Sequence, residues 1–438
     1  MSDRHLRDRG KVTSRARAPN RRTIVQAGLA ALVAPAVLRM IPAHAQSRII
    51  KIGFVVPQTG ALASFGEPVP FLIHQLQKAT GGRIESGGKQ YEFQVIAKDS
   101  QSSGTRASEV TIDLVLRDKV DLVVSGGAPD TVNAVSDQAE VNEVPCINTA
   151  CPWQPWFFGR KGDPQKGFKW TYLFCFGIED IHAAFIDLWS HAPTNKVVGG
   201  LFSNDPDGNA WGDLLPAALQ KAGFRVVAPG RYQPLSQDFT AQITAFKAAG
   251  AEIVTGTMIP PDFTTFWSQS AQQGFHPKIV TIGKAFLFPA PIAALGSRAE
   301  GLTCEVAWSP AFPFKSGLTG QTGQQLVDEY KRETGREAPF VVGMFHALFE
   351  VTVDVLKRTK SIGDPDSVRQ AIAETDYASI LAPVSWKPGR GPVKNVSKTP
   401  IVAGQWERTA PDQPLSLVIK ANPDWKNIPV SGQLKQLA

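Results

Sequence analysis

The feature that most constrains this chain is a rhythm that begins at Ile49. The run Ile49–Val56, IIKIGFVV, is dominated by Ile, Val and Phe, and a helical pattern follows over Val69–Ala79. Strand-like Tyr91–Ala97, helical Arg106–Arg117, strand-like Val120–Gly126, helical Thr131–Asn142 and the short strand Val144–Ala150 continue the alternation. Near-continuous apolar strands set between amphipathic helices are buried on both faces, which predicts a parallel sheet covered by helices. The rhythm restarts at Lys196–Phe202 and runs through Gly212–Lys221, Phe224–Gly230, Asp238–Gly250, Ala251–Met258, Phe263–Gln272 and Lys278–Gly283. Two long helical patterns, Gly323–Thr334 and Val341–Lys360, precede a β-like tail at Pro400–Glu407 and Leu415–Ala421. The expected fold is α/β: two doubly wound parallel-sheet lobes, with late segments returning to both.

Residues 1–45 stand apart from this rhythm. A basic lead ending in Arg21-Arg22 is followed by an apolar stretch, Ala27–Val37, and by the small-x-small pattern Ala43-His44-Ala45. That order reads as an export signal of twin-arginine type, with Ile24 where such signals carry Phe, cleaved near Ala45. Its apolar stretch falls well short of the ~20 residues needed to span a bilayer. The signal also carries the charge. The whole chain has 46 Lys/Arg and 39 Asp/Glu; the first 45 residues hold nine and two of these, which leaves 37 of each in the mature part. The net charge of +7 is therefore no argument for a nucleic-acid partner.

Catalytic signatures are missing. GxSxG, HExxH and P-loop patterns do not occur, and the first strand is not followed by GxGxxG. The mature histidines, His74, His182, His191, His276 and His346, are scattered without metal-ligand spacing. Cys146, Cys151, Cys175 and Cys304 form no CxxC pair; an oxidising compartment permits a disulfide among them, and buried free thiols are the alternative. The reading is a protein without catalytic residues, metal or cofactor.

In doubly wound sheets, ligands sit beyond the carboxyl ends of the strands. The loops there are Pro57–Gly66, Gly126–Thr131 and Asn148–Trp153 in one lobe, and Ser203–Gly208, Met258–Asp262 and Gly283–Phe286 in the other. Within Gly126–Thr131, Asp130 or Thr131 can cap the helix that follows, whose N–H groups suit an anionic ligand.

At this point the order of residues resembles a known family. IKIGFVVPQTGALASFGEPV, VDLVVSGGAPDTVNAVSDQAEVNEVPCINTA and VVGGLFSNDPDGNAWGDLLPAALQKAGFRVV are similar to successive segments of the leucine/isoleucine/valine-binding proteins, the type I periplasmic binding proteins of ABC importers. The likeness runs from about Ile49 to Trp406. It implies two lobes joined by a three-strand hinge, residues 48–172 with 310–398 and residues 173–309 with 399–438. It also implies a periplasmic protein that closes on a small solute and delivers it to a permease at the inner membrane. The same fold serves ligand sensors, which is the alternative function; an exported enzyme is a more distant one.

Carried over position by position, the resemblance makes Phe65 an aromatic wall. Pro129, Asp130 and Thr131, with Thr149, Ala150 and Cys151, become the clamp for a ligand carboxylate. In the second lobe Asp207 and Ile259 fall where the family has aromatics, and Lys284 falls where it has the acid that holds an α-ammonium. A lysine facing that ammonium implies a carboxylate ligand without an amine, aromatic or branched. If Lys284 points to solvent, Asp207 or Asp130 receives an ammonium instead. The aromatic run Thr149–Trp170, TACPWQPWFFGRKGDPQKGFKW, is expected to place Trp153 and Trp156 over the cleft. Phe157, Phe158, Phe168 and Trp170 are expected in packing, with Arg160, Lys161, Lys166 and Lys169 in solvent.

Overall fold

A computed structural model describes residues 48–410 and 412–437; the expected export signal lies outside them. The first sheet takes its strands in the order Val396–Ser397, Thr171–Phe174, Cys146–Thr149, Leu122–Gly126, Ile50–Val56, Lys89–Asp99 and Arg83–Ser86. All pairs in it are parallel except the last, where Arg83–Ser86 turns back on Lys89–Asp99. The second sheet runs Leu415–Ala421, Val402–Arg408, Thr303–Val306, Ile279–Gly283, Ile253–Thr257, Val197–Ser203 and Arg225–Val227. Val402–Arg408 is antiparallel to both its neighbours, and the rest of that order is parallel. These are two α/β lobes of mixed sheet. The chain passes between them three times: from Phe174 to Ile178, after Val306, and from Ser397 to Val402.

Burial explains why the strands read as unbroken apolar runs. Val197–Ser203, Ile253–Thr257 and Ile279–Gly283 are buried at every residue, because helices cover both faces of the sheet. On the first lobe the helix Val341–Arg358 is buried along most of its length and drives Phe345 and Phe349 edge-on against Phe54, with ring centres 5.5 and 5.4 Å apart. Gly126 makes that approach feasible: a Cβ there would lie 2.2 Å from the Phe345 ring.

The starts at Val69, Gly323 and Val341 fall where the sequence patterns place them, but three others lie earlier, for one recurring reason. The helices Pro129–Val141, Pro206–Lys221 and Pro260–Gln272 each place proline in the first turn, where its fixed φ suits the helix and its missing N–H costs nothing. Ala128 therefore occupies the cap position, and neither Asp130 nor Thr131 caps the helix; the Thr131 hydroxyl donates to the Ala128 carbonyl at 3.2 Å. Asp205 caps the second helix by accepting from Gly208 N at 2.7 Å, so the helix begins six residues before the expected Gly212. The expected helix Arg106–Arg117 is instead Gly104–Ile112, capped by Ser103, followed by a wider turn over Asp113–Asp118. All four cysteines are buried free thiols.

The aromatic run is packing for the first lobe. Trp156 is fully buried and its indole N–H donates to Ser136 Oγ at 2.9 Å, so it does not roof a cleft. Arg160 corrects the expectation of a solvated side chain: it is 1% exposed. Its guanidinium lies 4.0 Å from the Phe168 ring centre and 4.9 Å from that of Trp156, and it also bonds Asp137 and Thr171 Oγ1. Lys161, Lys166 and Lys169 are exposed. Phe157 and Trp170 are buried, whereas Phe158 is half exposed and covers Trp153 from outside.

Two stability predictions follow from these contacts. Arg160→Ala removes a desolvated cation from two ring faces and should cost ~2–3 kcal/mol in urea unfolding. Arg160→Lys should restore little of this, because a compact ammonium stacks poorly and cannot bond Asp137 and Thr171 together. Glu350, buried in the Val341–Arg358 helix and accepting from Ile380 N at 2.9 Å, is pushed by burial from 4.5 up to about 7. The folded state then holds more protons than the unfolded one between these values, so this contribution is full below 4.5 and is lost as pH rises through 7. Glu350→Gln should shrink the fall in melting temperature between about pH 5 and pH 8.

Candidate functional site

The carboxyl ends of the central strands lie level within each sheet, with Gly126 beside Thr149 in the first and Thr257 beside both Phe202 and Gly283 in the second. The loops and helix starts beyond them meet around a cavity of about 30 Å³. Phe65, Gly127, Ala128, Pro129, Ala150 and Phe340 form its first-lobe wall. Ile181, Asp207, Trp211, Thr257, Lys284 and Glu305 form most of the opposite wall. Three larger hollows, of about 190, 340 and 160 Å³, are lined by charged side chains at exposed positions, apart from Asp121 in the third, which is already paired with Arg48 and the Lys51 N–H. The smaller cavity is the candidate site because buried charge converges on it.

Lys284 faces this cavity, and it is not alone there. Its Nζ lies 2.9 Å from Asp207 Oδ2, with the two side chains 7% and 6% exposed. Thr257 Oγ1 donates to the same Asp207 oxygen at 3.3 Å. Lys284 adopts φ 67°, a left-handed conformation rare outside glycine, and its backbone N–H donates to Glu305 Oε1 at 3.3 Å. Burial works against the lysine charge, but Asp207, Asp205 and Asp130 outweigh it and hold the ammonium well above the usual lysine range.

The acids around this lysine are unequal. Asp130, in the first turn of its helix, is pushed up by burial, with Lys284 opposing. Burial also works on Asp205, but Lys284, Gly208 N and Ser203 Oγ bring it down overall. Glu305 is raised by burial to about 7. Neither Asp207 Oδ1 nor Glu305 Oε2 meets a hydrogen-bond donor among the described residues. The site is thus a single buried cation set among more carboxyl groups than it can neutralise.

The residues expected from the sequence divide into two groups. Phe65, Pro129, Ala150, Asp207 and Lys284 line the cavity together, with Phe65 edge-on to Phe288 at 4.9 Å. Asp130, Thr131, Thr149, Cys151, Trp153 and Ile259 do not line it. The Thr149 hydroxyl is taken by the Phe174 carbonyl at 2.9 Å, and the fully buried Cys151 thiol lies 3.6 Å from the Pro152 carbonyl. Ile259 sits at the cap of its helix, and Asp130 acts on the cavity through its charge on Lys284. Trp153 turns its indole N–H to Glu179 Oε1 at 3.1 Å and does not cover the cavity. Pro152 and Phe176 take the wall position expected of Trp153.

The Glu179 network ties two of the interlobe crossings together. Gln154 also bonds Glu179 and accepts from Ile178 N at 2.8 Å, while Lys398 reaches Glu179 at 2.9 Å and Asp180 at 2.6 Å. Glu305, Trp211 and Phe340 were absent from the expected set. Glu305, in the strand Thr303–Val306, and Phe340, at the cap of the helix Val341–Arg358, are distant in sequence from the loops that follow the central strands, so only the tertiary fold brings them in; Trp211 lies three residues past the Ser203–Gly208 loop, one turn into the helix that this loop begins.

The ion pair can be tested without knowing a ligand. Lys284→Met strands the buried Asp207 carboxylate and should cost ~3–5 kcal/mol in urea unfolding. The same change made in an Asp207→Asn background should cost less than about 1.5 kcal/mol.

Comparison with known proteins agrees with this architecture. The leucine-binding protein of Thermotoga maritima superposes with a TM-score of 0.69 at 19% identity, covering 86% of this chain and 99% of that one. A solute-binding protein of an ABC transporter from Rhodopseudomonas palustris, solved with 3,4-dihydroxybenzoic acid, gives 0.69 at 22% identity over 86% of this chain and 97% of that one. A branched-chain amino acid transporter substrate-binding protein of Streptococcus pneumoniae, solved with isoleucine, gives 0.68 at 15% identity over 85% of this chain and 100% of that one. Residues 49–407 match the periplasmic binding protein family, one of binding proteins rather than enzymes, and the chain belongs to it.

Proposed function

We propose that this protein is the solute-capturing component of an ABC import system. It is exported to the periplasm, closes its lobes on a small carboxylate-bearing solute with a branched or aromatic body, and presents the closed form to a permease at the inner membrane. The observation that carries the ligand class is Lys284 in the cavity wall. An amino acid would bring its α-ammonium beside this buried ammonium, whereas an acid without an amine meets no like charge. The apolar part of the wall, Phe65, Phe176, Trp211 and Phe340, suits such a body. One of the similar proteins holds an aromatic acid and another holds isoleucine, so both chemistries occur on this fold.

Lobe closure supplies the mechanism. The cavity of about 30 Å³ is small for such a solute, so the lobes part to admit it, and contacts to both lobes favour the shut form. The surplus of buried carboxyl groups around Lys284 favours a second reading, an amino acid whose ammonium is received by Asp130 or Asp207. Calorimetric titration with leucine and with its amine-free counterpart 4-methylpentanoate, and with benzoate, separates the two. At least one amine-free acid should bind tenfold or more tightly than leucine, which corresponds to about 1.4 kcal/mol. Tighter binding of leucine overturns the amine-free reading.

A further inference from the structure

The second-lobe wall of the cavity holds donors and acceptors together, and that mixture narrows the ligand further. Lys284 Nζ carries three N–H donors and gives one of them to Asp207 Oδ2 at 2.9 Å. Beside it, Asp207 Oδ1 and Glu305 Oε2 are acceptors without a donor among the described residues, on side chains whose residues are each only 4% exposed. Both residues line the cavity. Glu305 is held in place by the Lys284 backbone N–H on its other oxygen, and Asp207 by the helix start at Pro206 and by Thr257. A buried acceptor left unmet in the closed cleft is penalised, so a well-bound ligand has to present a proton to this wall.

A ligand group that only accepts, such as a second carboxylate, meets Lys284 but leaves both acceptors unmet. A group that only donates, such as an ammonium, meets the acceptors but faces Lys284 as a like charge. A hydroxyl does both: its oxygen accepts from Lys284 Nζ while its proton goes to Glu305 Oε2 or Asp207 Oδ1. We propose that the ligand is a hydroxy acid, and that Glu305, with Asp207 and Lys284, is the specificity-determining group that reads its hydroxyl. The ligand carboxylate then faces the first-lobe backbone at Ala128 and Ala150. This rests on the amine-free reading of the site and sharpens it. Burial raises the Glu305 carboxyl to about 7, so it is above that pH that the group stands as the carboxylate that accepts the hydroxyl proton.

The test uses matched pairs that differ by one hydroxyl: benzoate with 3- and 4-hydroxybenzoate, and 4-methylpentanoate with 2-hydroxy-4-methylpentanoate. Titrated calorimetrically into the mature protein, the hydroxylated member of at least one pair should bind about 10- to 100-fold more tightly. Glu305→Gln, which puts an amide in place of the acceptor, should cut that preference to within about threefold. The readout is the ratio of affinities within each pair measured in the same variant, so an effect of the substitution on acids of both kinds cancels, and a thermal melt checks that the variant is folded. Glu305→Met serves as the second variant and should abolish the preference in the same way. Equal affinity within both pairs, absence of binding by every hydroxy acid, or a preference that survives in a folded Glu305 variant overturns the proposal. Failure of the amine-free reading is a separate result, read from leucine against 2-hydroxy-4-methylpentanoate: the hydroxyl and the ammonium then compete at the same carbon.

Discussion

The ion pair between Lys284 and Asp207 is the interaction on which the interior of this protein turns. Taking two charges out of water costs several kcal/mol each, and mutual attraction recovers this only with good geometry and further hydrogen bonds. Here the aspartate lies in the first turn of a helix and accepts a threonine hydroxyl, while the lysine is fixed by a left-handed backbone. The pair also decides what a ligand meets. Helix starts facing a cleft offer partial positive charge to an anion, but three of them here already carry an acid of their own, Asp130, Asp207 and Asp262. The lysine is the buried cation that balances them, and removing it would leave the charged groups of the second-lobe wall all acidic.

Much of the fold was legible in the sequence because its signal is repetitive. Strands buried on both faces, such as Ile253–Thr257, read as unbroken apolar runs, and the helices between them carry their own periodicity. The failures were local. Two helix starts were placed too late because Pro129 and Pro206 were read as loop residues, although the helix at Val69, with Pro70 in its first turn, starts where its pattern places it. Lys284 was singled out from its position, but its partnership with Asp207 joins residues 77 positions apart on different loops. Glu305 carried no local signal at all: a glutamate in the short strand Thr303–Val306 looks like any edge charge until Ile279–Gly283 brings it beside Lys284.

The aromatic run Thr149–Trp170 shows the same limit from the other side. Its density of rings suggested a lid, yet the rings serve to house one arginine. A guanidinium resting against Trp156 and Phe168 has ring faces in place of part of its hydration, and Asp137 and Thr171 supply hydrogen bonds. A basic residue flanked by Gly reads as solvated in one dimension; its burial is a property of the helix Pro129–Val141 packing over it.

The bonds from Lys398 to Glu179 and Asp180 carry a consequence for how such a molecule can move. They join the segment entering the second lobe after Phe174 to the segment re-entering it after Ser397. Any rotation that leaves them intact moves these two crossings together, but the side chains remain partly open to water, so each bond resists the motion by no more than about 1 kcal/mol. The brace steers a swing without stopping it.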